Sequence, residues 1–355
     1  MQRLTTRQSC VIAMVKIVKA EYTMSKQPND KPVIALIGTG MWGQNIARNL
    51  AHLGVLAGIC DSEPDRAKHI ADQHGVAVMS FDDILANSDI DGVALATPAP
   101  SHHDLAVATL EAGKHIYIEK PLALTLADAE AIAKAAATAN RQVMLGHLLR
   151  YHSAFIACAK AVEQGQIGKM RHIRASRLAA GRVRATESAL FDLCPHDLAM
   201  IYHLVKGAEA QHVSCHMISH ITPGIDDIVT AQIGFANGVS ATIQANWMNP
   251  VKVHNLTIVG DEASLVFDDT KPWESKLTRY PMRILRDKHT PNLECGEPEP
   301  IPLPPSEPLK DEMQAFINMV KTNQPAPTDL TEALYVQRLL DQMEKHASQK
   351  LSNHH

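Results

Sequence analysis

The 355-residue sequence has no CxxC pair, no excess of basic residues, no internal repeat and no N-terminal apolar run of export or membrane-spanning length. Each absence closes off a class of function. The six cysteines (Cys10, Cys60, Cys158, Cys194, Cys215, Cys295) are scattered. That argues against a structural zinc site or a disulfide framework and points to a reducing, cytoplasmic setting. The best apolar run near the start, Cys10 to Val15, is stopped by Lys16, short of the about 7–15 residues of a secretory core and the about 20 of a spanning helix. No membrane association is therefore expected. The stretch before Met24 is basic (Arg3, Arg7, Lys16, Lys19), and residues 1–30 read as a poorly ordered extension, with a transit peptide as the alternative. Lys plus Arg total 34 against 38 Asp plus Glu, a net charge of −4. This is not the broad basic face that nucleic acid binding needs. No HExxH or Cys/His ligand spacing accompanies His102, His103, His147 or His152, so no functional metal is expected.

Apolar residues are present in quantity, at 45 %, ample for a buried core, and the length suits two domains of about 150 residues each. Val33 to Ile37 is a continuous apolar run, the pattern of a parallel strand covered on both faces. It leads into Gly38-Thr39-Gly40-Met41-Trp42-Gly43, after which Ile46, Ala47, Leu50 and Leu53 fall at helical spacing. Further strands at 55–60, 76–79, 92–96, 115–118 and 142–145 alternate with helices. Residues 31–150 are thus expected to form an α/β dinucleotide-binding domain, a doubly wound parallel sheet. Beyond 150 the rhythm changes. Residues 227–235 and 239–247 alternate apolar and polar around Asn237-Gly238, a strong hairpin signal. A second pair, 253–259 and 264–267, flanks Gly260-Asp261. This predicts an antiparallel meander in a separate α+β domain over 151–348. Residues 291–308 carry seven prolines and read as an irregular connector before two amphipathic helices, at about 309–322 and 329–347.

The chemistry begins at the glycines. Gly38, Gly40 and Gly43 form G-x-G-x-x-G between a predicted strand and a predicted helix, the context that gives this pattern meaning. The first permits a tight turn, the second lets backbone approach a pyrophosphate, and the third lets helix pack on strand. Met41 and Trp42, inside the loop, are candidate cofactor contacts. Asp61, 23 residues after Gly38, ends the second strand, where a carboxylate accepts from ribose hydroxyls. It would repel a 2′-phosphate, and no basic residue follows until Arg66, so NAD is expected over NADP. Lys120 ends the fifth strand and should project into the cleft. Beside a bound nicotinamide cation it could exchange a proton near neutral pH.

These residues, together with Ala96-Thr97-Pro98…His102, Gly113-Lys114-His115…Glu119-Lys120-Pro121 and Asp192-Leu-Cys-Pro-His196-Asp197, resemble the Gfo/Idh/MocA family of oxidoreductases from about residue 31 to 347. The resemblance implies a Rossmann domain followed by an α+β domain with a large, open, mostly antiparallel sheet, and a homodimer or homotetramer formed through that sheet. It implies that Lys120, Asp192 and His196 are the active-site trio, that Thr97, His102 and Glu119 lie by the cofactor, and that Lys120-Pro121 is a candidate cis bond. Ala199 stands where many relatives carry a second Asp. The residues themselves agree with the trio: Asp192 and His196 are four apart, so on a helix start they share a face, and a His there can take a proton as hydride leaves a carbinol carbon.

One segment bears on substrate. Between Glu163 and Glu187 there is no acid, but there are Lys169, Arg171, Arg174, Arg177, Arg182 and Arg184. Arginine pairs well with phosphate oxygens, so this is either a diphosphate-recognising patch, with Arg177 foremost, or a solvated strand face. The similarity of Asp192 to Ile201 to the nucleotide-sugar subgroup tips the reading toward the former. Arg150 and Tyr151, at the expected domain junction, are further candidate substrate contacts. The resulting expectation is an NAD-dependent dehydrogenase that oxidises a secondary hydroxyl on a sugar ring, with a nucleotide sugar as the favoured substrate. The rivals are an NAD-retaining glycosidase that works by transient oxidation and elimination, and a non-catalytic NAD-binding regulator.

Overall fold

Six strands make the first sheet: β1 (Ile34–Ile37), β2 (Leu56–Cys60), β3 (Ala77–Val78), β4 (Gly92–Leu95), β5 (His115–Ile118) and β6 (Val143–Leu145). The computed structural model describes residues 31–352 except 182 and 287–290. The predicted extension over 1–30 and Arg182 of the basic segment lie outside the described residues. All neighbouring strands are parallel, in the order β3-β2-β1-β4-β5-β6. Helices α1 (Met41–His52), α2 (Pro64–His74), α3 (Phe81–Ala86), α4 (His102–Glu111) and α5 (Leu126–Ala139) form the connections. The continuous apolar run of β1 has a physical cause. Ile34 and Leu36 join one core with Ile46, Ala47 and Leu50, while Ala35 and Ile37 join another with Ala106, Leu110 and Ile132. Chain order reverses between β1 and β4, which opens a ligand crevice at the carboxyl ends of those strands.

The second sheet is built from β7 (Met170–Ala180), β8 (Ala210–Ile218), β9 (Ile228–Phe235), β10 (Ser240–Asn246), β11 (Met248–Gly260), β12 (Ala263–Asp268), β13 (Leu277–Arg286), β14 (Pro291–Cys295) and β15 (Glu299–Pro300). Its order is β14-β13-β12-β11-β7-β10-β9-β8, with β15 on β13. The β9–β10 hairpin forms around Asn237-Gly238, where Gly238 takes φ +81°. Two expectations need correction. The sheet is not a pure meander, because β7 inserts between β10 and β11 and runs parallel to β10. The proline-rich connector is not wholly irregular, because β14 and β15 both pair with β13.

One face of this sheet packs on α6 (Ser153–Glu163), α7 (Ala189–Val205) and α9 (Leu330–Ser352), with Phe155, Leu198, Ile201, Ile243 and Leu339 in a common core. Helix α8 (Pro308–Thr322) returns instead to the first sheet, where Met313 and Phe316 join Ile34 and Leu36. From Pro32 onward the chain is one compact unit. Among the described residues, no helix is long and apolar enough to cross a membrane.

Candidate active site

The glycine loop has the shape its spacing implies. Gly38 takes φ +91°, and a Cβ there would lie 2.7 Å from the Ala96 carbonyl carbon. A Cβ on Gly43 would collide with the Gly38 carbonyl oxygen, whereas one on Gly40 would meet nothing within 4 Å. The middle glycine therefore leaves open backbone at the start of α1, whose first turn carries no acidic residue. Unpaired N–H groups and the helix dipole at such an end favour an anion, so these residues fit the pyrophosphate of a dinucleotide. Met41 and Trp42 are both exposed beside it.

Asp61 closes β2 with both oxygens engaged. Oδ2 accepts from the Thr39 N–H (2.6 Å), the Thr39 hydroxyl (2.7 Å) and Arg66 Nε (3.1 Å). Oδ1 accepts from the Glu63 N–H (2.9 Å) and Arg66 Nη2 (2.6 Å). Burial pushes this carboxyl up, but Arg66 and the Thr39 and Glu63 donors outweigh it and hold Asp61 well below the usual carboxylate range. Arg66 folds back from α2 onto Asp61, so the carboxylate expected to repel a 2′-phosphate carries a counter-charge.

Lys120 and Asp192 meet across 72 residues of sequence. Lys120 Nζ donates to the Asp192 carbonyl at 2.6 Å and to Asp192 Oδ1 at 2.9 Å. Asp192 sits in the first turn of α7, where the helix dipole favours a carboxylate. Three residues on, Pro195 lacks an N–H to extend the backbone ladder of this helix. Arg184 Nη2 also donates to Asp192 Oδ1, at 3.0 Å, and the Trp247 indole N–H donates to Oδ2 at 3.1 Å. Burial raises the Asp192 carboxyl, but Lys120 and then Arg184 leave it below its ordinary value. His196 lies one turn on, half-buried, and its Nδ1 has no partner among the described residues. Burial, then the Arg177 and Lys120 cations, hold its imidazole well below the usual histidine value, so the ring is neutral. Lys120–Pro121 is cis.

The other expected contacts fall differently. Arg177 is buried and donates to Asp197 at 2.8 and 3.3 Å, so it does not present a fork to a diphosphate. Side chains alternate along β7, which puts Arg177 on the inner face with Ile173 and Ala175 and leaves Arg174 exposed on the other. The three arginines of the run that lie on β7 are thus not one patch: Arg177 is buried on one face, Arg174 is exposed on the other, and Arg171 is paired with Asp261. Arg150 donates to Glu332 at 3.0 Å, and the Tyr151 hydroxyl lies 3.0 Å from Thr328 Oγ1, so both brace the chain end rather than face a substrate. His102 is fully buried, with Nδ1 at 2.8 Å from the Pro121 carbonyl and Nε2 at 2.9 Å from that of Thr97. It ties the β4 end to the Lys120 turn instead of lining the crevice. Thr97 also accepts from the Ser101 hydroxyl at 2.7 Å. Glu119 accepts from the Trp42 indole at 2.6 Å, a bond linking the glycine loop to the end of β5. His147 contacts Glu332, and His152 stacks on Trp273. Trp247 escaped the sequence reading, and Arg184 entered it only as one of a run. No local pattern marks either as a partner of Asp192.

In comparisons with known proteins, residues 33–147 match an oxidoreductase family with an NAD-binding Rossmann fold, Gfo/Idh/MocA, and residues 155–266 match the Gfo/Idh/MocA C-terminal domain. Over 213 residues the chain is 31 % identical to UDP-N-acetylglucosamine 3-dehydrogenase of Acidithiobacillus ferrooxidans, covering 59 % of this chain and 66 % of that protein. Over 183 residues it is 28 % identical to inositol 2-dehydrogenase of Salmonella typhimurium, covering 48 % and 54 %. The chain thus matches roughly half to two thirds of the length of these curated relatives. A solved structure of the Acidithiobacillus ferrooxidans enzyme superposes with a TM-score of 0.75 at 26 % identity, over 88 % of this chain and 96 % of that one.

Proposed function

Since this chain belongs to the Gfo/Idh/MocA family of oxidoreductases, we propose that it is an NAD-dependent dehydrogenase of a secondary hydroxyl on a sugar ring, with a nucleotide sugar as its substrate. The observation that carries the reading is the Lys120–Asp192 contact beside His196, which joins the end of β5 to the start of α7. The nucleotide-sugar part draws on the relative from Acidithiobacillus ferrooxidans and on Arg184, the half-buried guanidinium that remains beside Asp192. Residues 31–150 would hold the cofactor and 151–348 the substrate. The sheet face bearing His172, Arg174, Gln232 and Thr242 is open along a groove and would serve a homodimer or homotetramer. A cytoplasmic location completes the reading.

The glycine loop and Asp61 would hold NAD, which when bound accepts hydride from the carbinol carbon. The protein's own task is the hydroxyl proton. Neutral His196 has a lone pair to receive it. Lys120 spends two of its three N–H donors on Asp192 and keeps one for the substrate oxygen. Asp192 positions Lys120, because Lys120, Arg184 and Trp247 already occupy its oxygens. The test is a thermal-shift panel of nucleotide sugars and polyols with NAD, followed by NADH formation. A ligand at 100 times its Kd should add about 2.7 kcal/mol of stability. Stabilisation by polyols alone would remove the nucleotide from the proposal, and no NADH from any stabilising compound would remove the activity.

A further inference from the structure

A second cluster of ionisable groups adjoins the crevice, and the chemistry above does not use it. Glu119 Oε1 accepts from the Trp42 indole N–H and from the Tyr117 hydroxyl, each at 2.6 Å, while Oε2 accepts from the Lys120 backbone N–H at 3.3 Å. The Tyr117 oxygen also lies 3.2 Å from Glu312 Oε2, which α8 brings in from 195 residues away. Tyr117 and Glu312 are both fully buried, and Glu312 Oε1 has no partner among the described residues. The backbone leaves room for this cluster: a Cβ on Gly146 would stand 2.6 Å from the Tyr117 hydroxyl and 2.9 Å from Glu119 Oε1.

Counting protons assigns the charges. Tyr117 has one hydroxyl hydrogen and cannot give it to two carboxylates. The shorter contact, to Glu119, takes it. The contact to Glu312 then joins two acceptors unless Glu312 carries a proton and donates to the Tyr117 oxygen. Burial raises the Glu119 carboxyl too, but its three donors and the Lys120 cation act against that rise, so Glu119 is the anion of the pair. Glu312 has no other donor, and an unpaired buried charge there would be costly. The groups facing Glu312 are Tyr117 and Glu119 from the β5 side and Tyr151 from the short turn at Leu148–Tyr151. Lys120, the cation beside Glu119, is bound to Asp192. Burial first, and the Glu119 charge second, push the Glu312 carboxyl well above its usual range.

We propose that Glu312 is a positioning residue of the cofactor site: as a neutral acid it donates to the Tyr117 hydroxyl and so fixes Glu119, braced by Trp42, as the anionic carboxylate of this pair, on the side of the crevice that would take the nicotinamide half of the cofactor. The inference rests on the NAD reading above. Oxidised nicotinamide is cationic and the reduced ring is neutral, so a fixed anion there favours the oxidised form.

Two variants of the full chain test this, by fluorescence titration with NADH, competition with NAD and thermal unfolding against pH. Glu312→Gln keeps a neutral donor. It should leave both affinities within about twofold. It should also melt above wild type by a margin that widens from about pH 5 to pH 8, because an acid whose folded pKa is raised loses stability as pH climbs past its unfolded value. Glu312→Leu removes the donor. It should weaken NAD binding about two- to tenfold, with a smaller loss for NADH. A Gln variant less stable than wild type at every pH would show an ionised Glu312 and overturn the charge assignment. A Leu variant with wild-type NAD affinity would leave Glu312 a packing residue only. Failure of wild type to bind either nucleotide overturns the cofactor reading itself, and with it the role given to Glu312.

Discussion

Substituting Arg177 by Met would leave the Asp197 carboxylate buried without its partner. Both members of the pair are buried, with the Arg177 side chain 10 % exposed and that of Asp197 1 %. Two N–H groups of the guanidinium reach the two carboxylate oxygens at 2.8 and 3.3 Å. An exposed pair of this kind contributes under about 1 kcal/mol. Breaking a buried one by removing a single partner costs about 3–5 kcal/mol, because the remaining charge stays desolvated. At about 2.1 cal/mol/K of unfolding entropy per residue, a chain of this length should lose about 4–7 °C of Tm. Urea unfolding should report the same loss as a lower midpoint at constant slope. Adding Asp197→Leu to Arg177→Met should recover much of it, since an apolar replacement of both partners is often close to neutral. A stability loss below about 1 kcal/mol, with KM raised for a nucleotide sugar but not for a free sugar, would show that Arg177 serves the substrate and refute the buried-pair argument.

Lys120→Met and His196→Asn should each lower kcat by at least about 100-fold with NADH affinity little changed, and the double mutant should lose less than the product, because both serve one proton. Wild-type turnover in both single mutants would remove the site assignment. Arg66→Ala should strip the counter-charge from Asp61 and widen the preference for NADH over NADPH in a binding titration; a narrower preference would mean that Asp61 repels nothing. Burial, with Arg141 nearby, lowers His115 to about 4, and its Nδ1 accepts the Gln142 N–H at 3.1 Å. The unfolded chain therefore takes up this proton first, so stability should fall as pH drops from about 6.5 toward 4. His115→Gln should flatten that limb of the Tm–pH curve, and an unchanged limb would show that His115 does not contribute to it.

Much of the first sheet was legible from the sequence, because each of its signals depends on neighbours in the chain. A strand covered on both faces reads as a continuous apolar run, and a turn that brings its own carbonyl against the following helix admits glycine at Gly38 and Gly43. The Asn237-Gly238 hairpin is local in the same sense. The trio of Lys120, Asp192 and His196 was legible as a motif. What each member touches was not.

Partner choice across long sequence separations was left to the tertiary structure. Asp192 receives Trp247 from 55 residues away and Lys120 from 72, and Glu312 reaches Tyr117 over 195. No spacing rule spans such distances. Arg177 shows why most plainly. Alternation along β7 says that its side chain shares a face with Ile173 and Ala175, but which face is inward depends on the register with β10 and β11, strands that come more than 60 residues later. The sequence determined that the arginines were there; the packing of α7 on that sheet decided that Arg177 would meet Asp197, because a guanidinium carried into the core must find a carboxylate to be stable there.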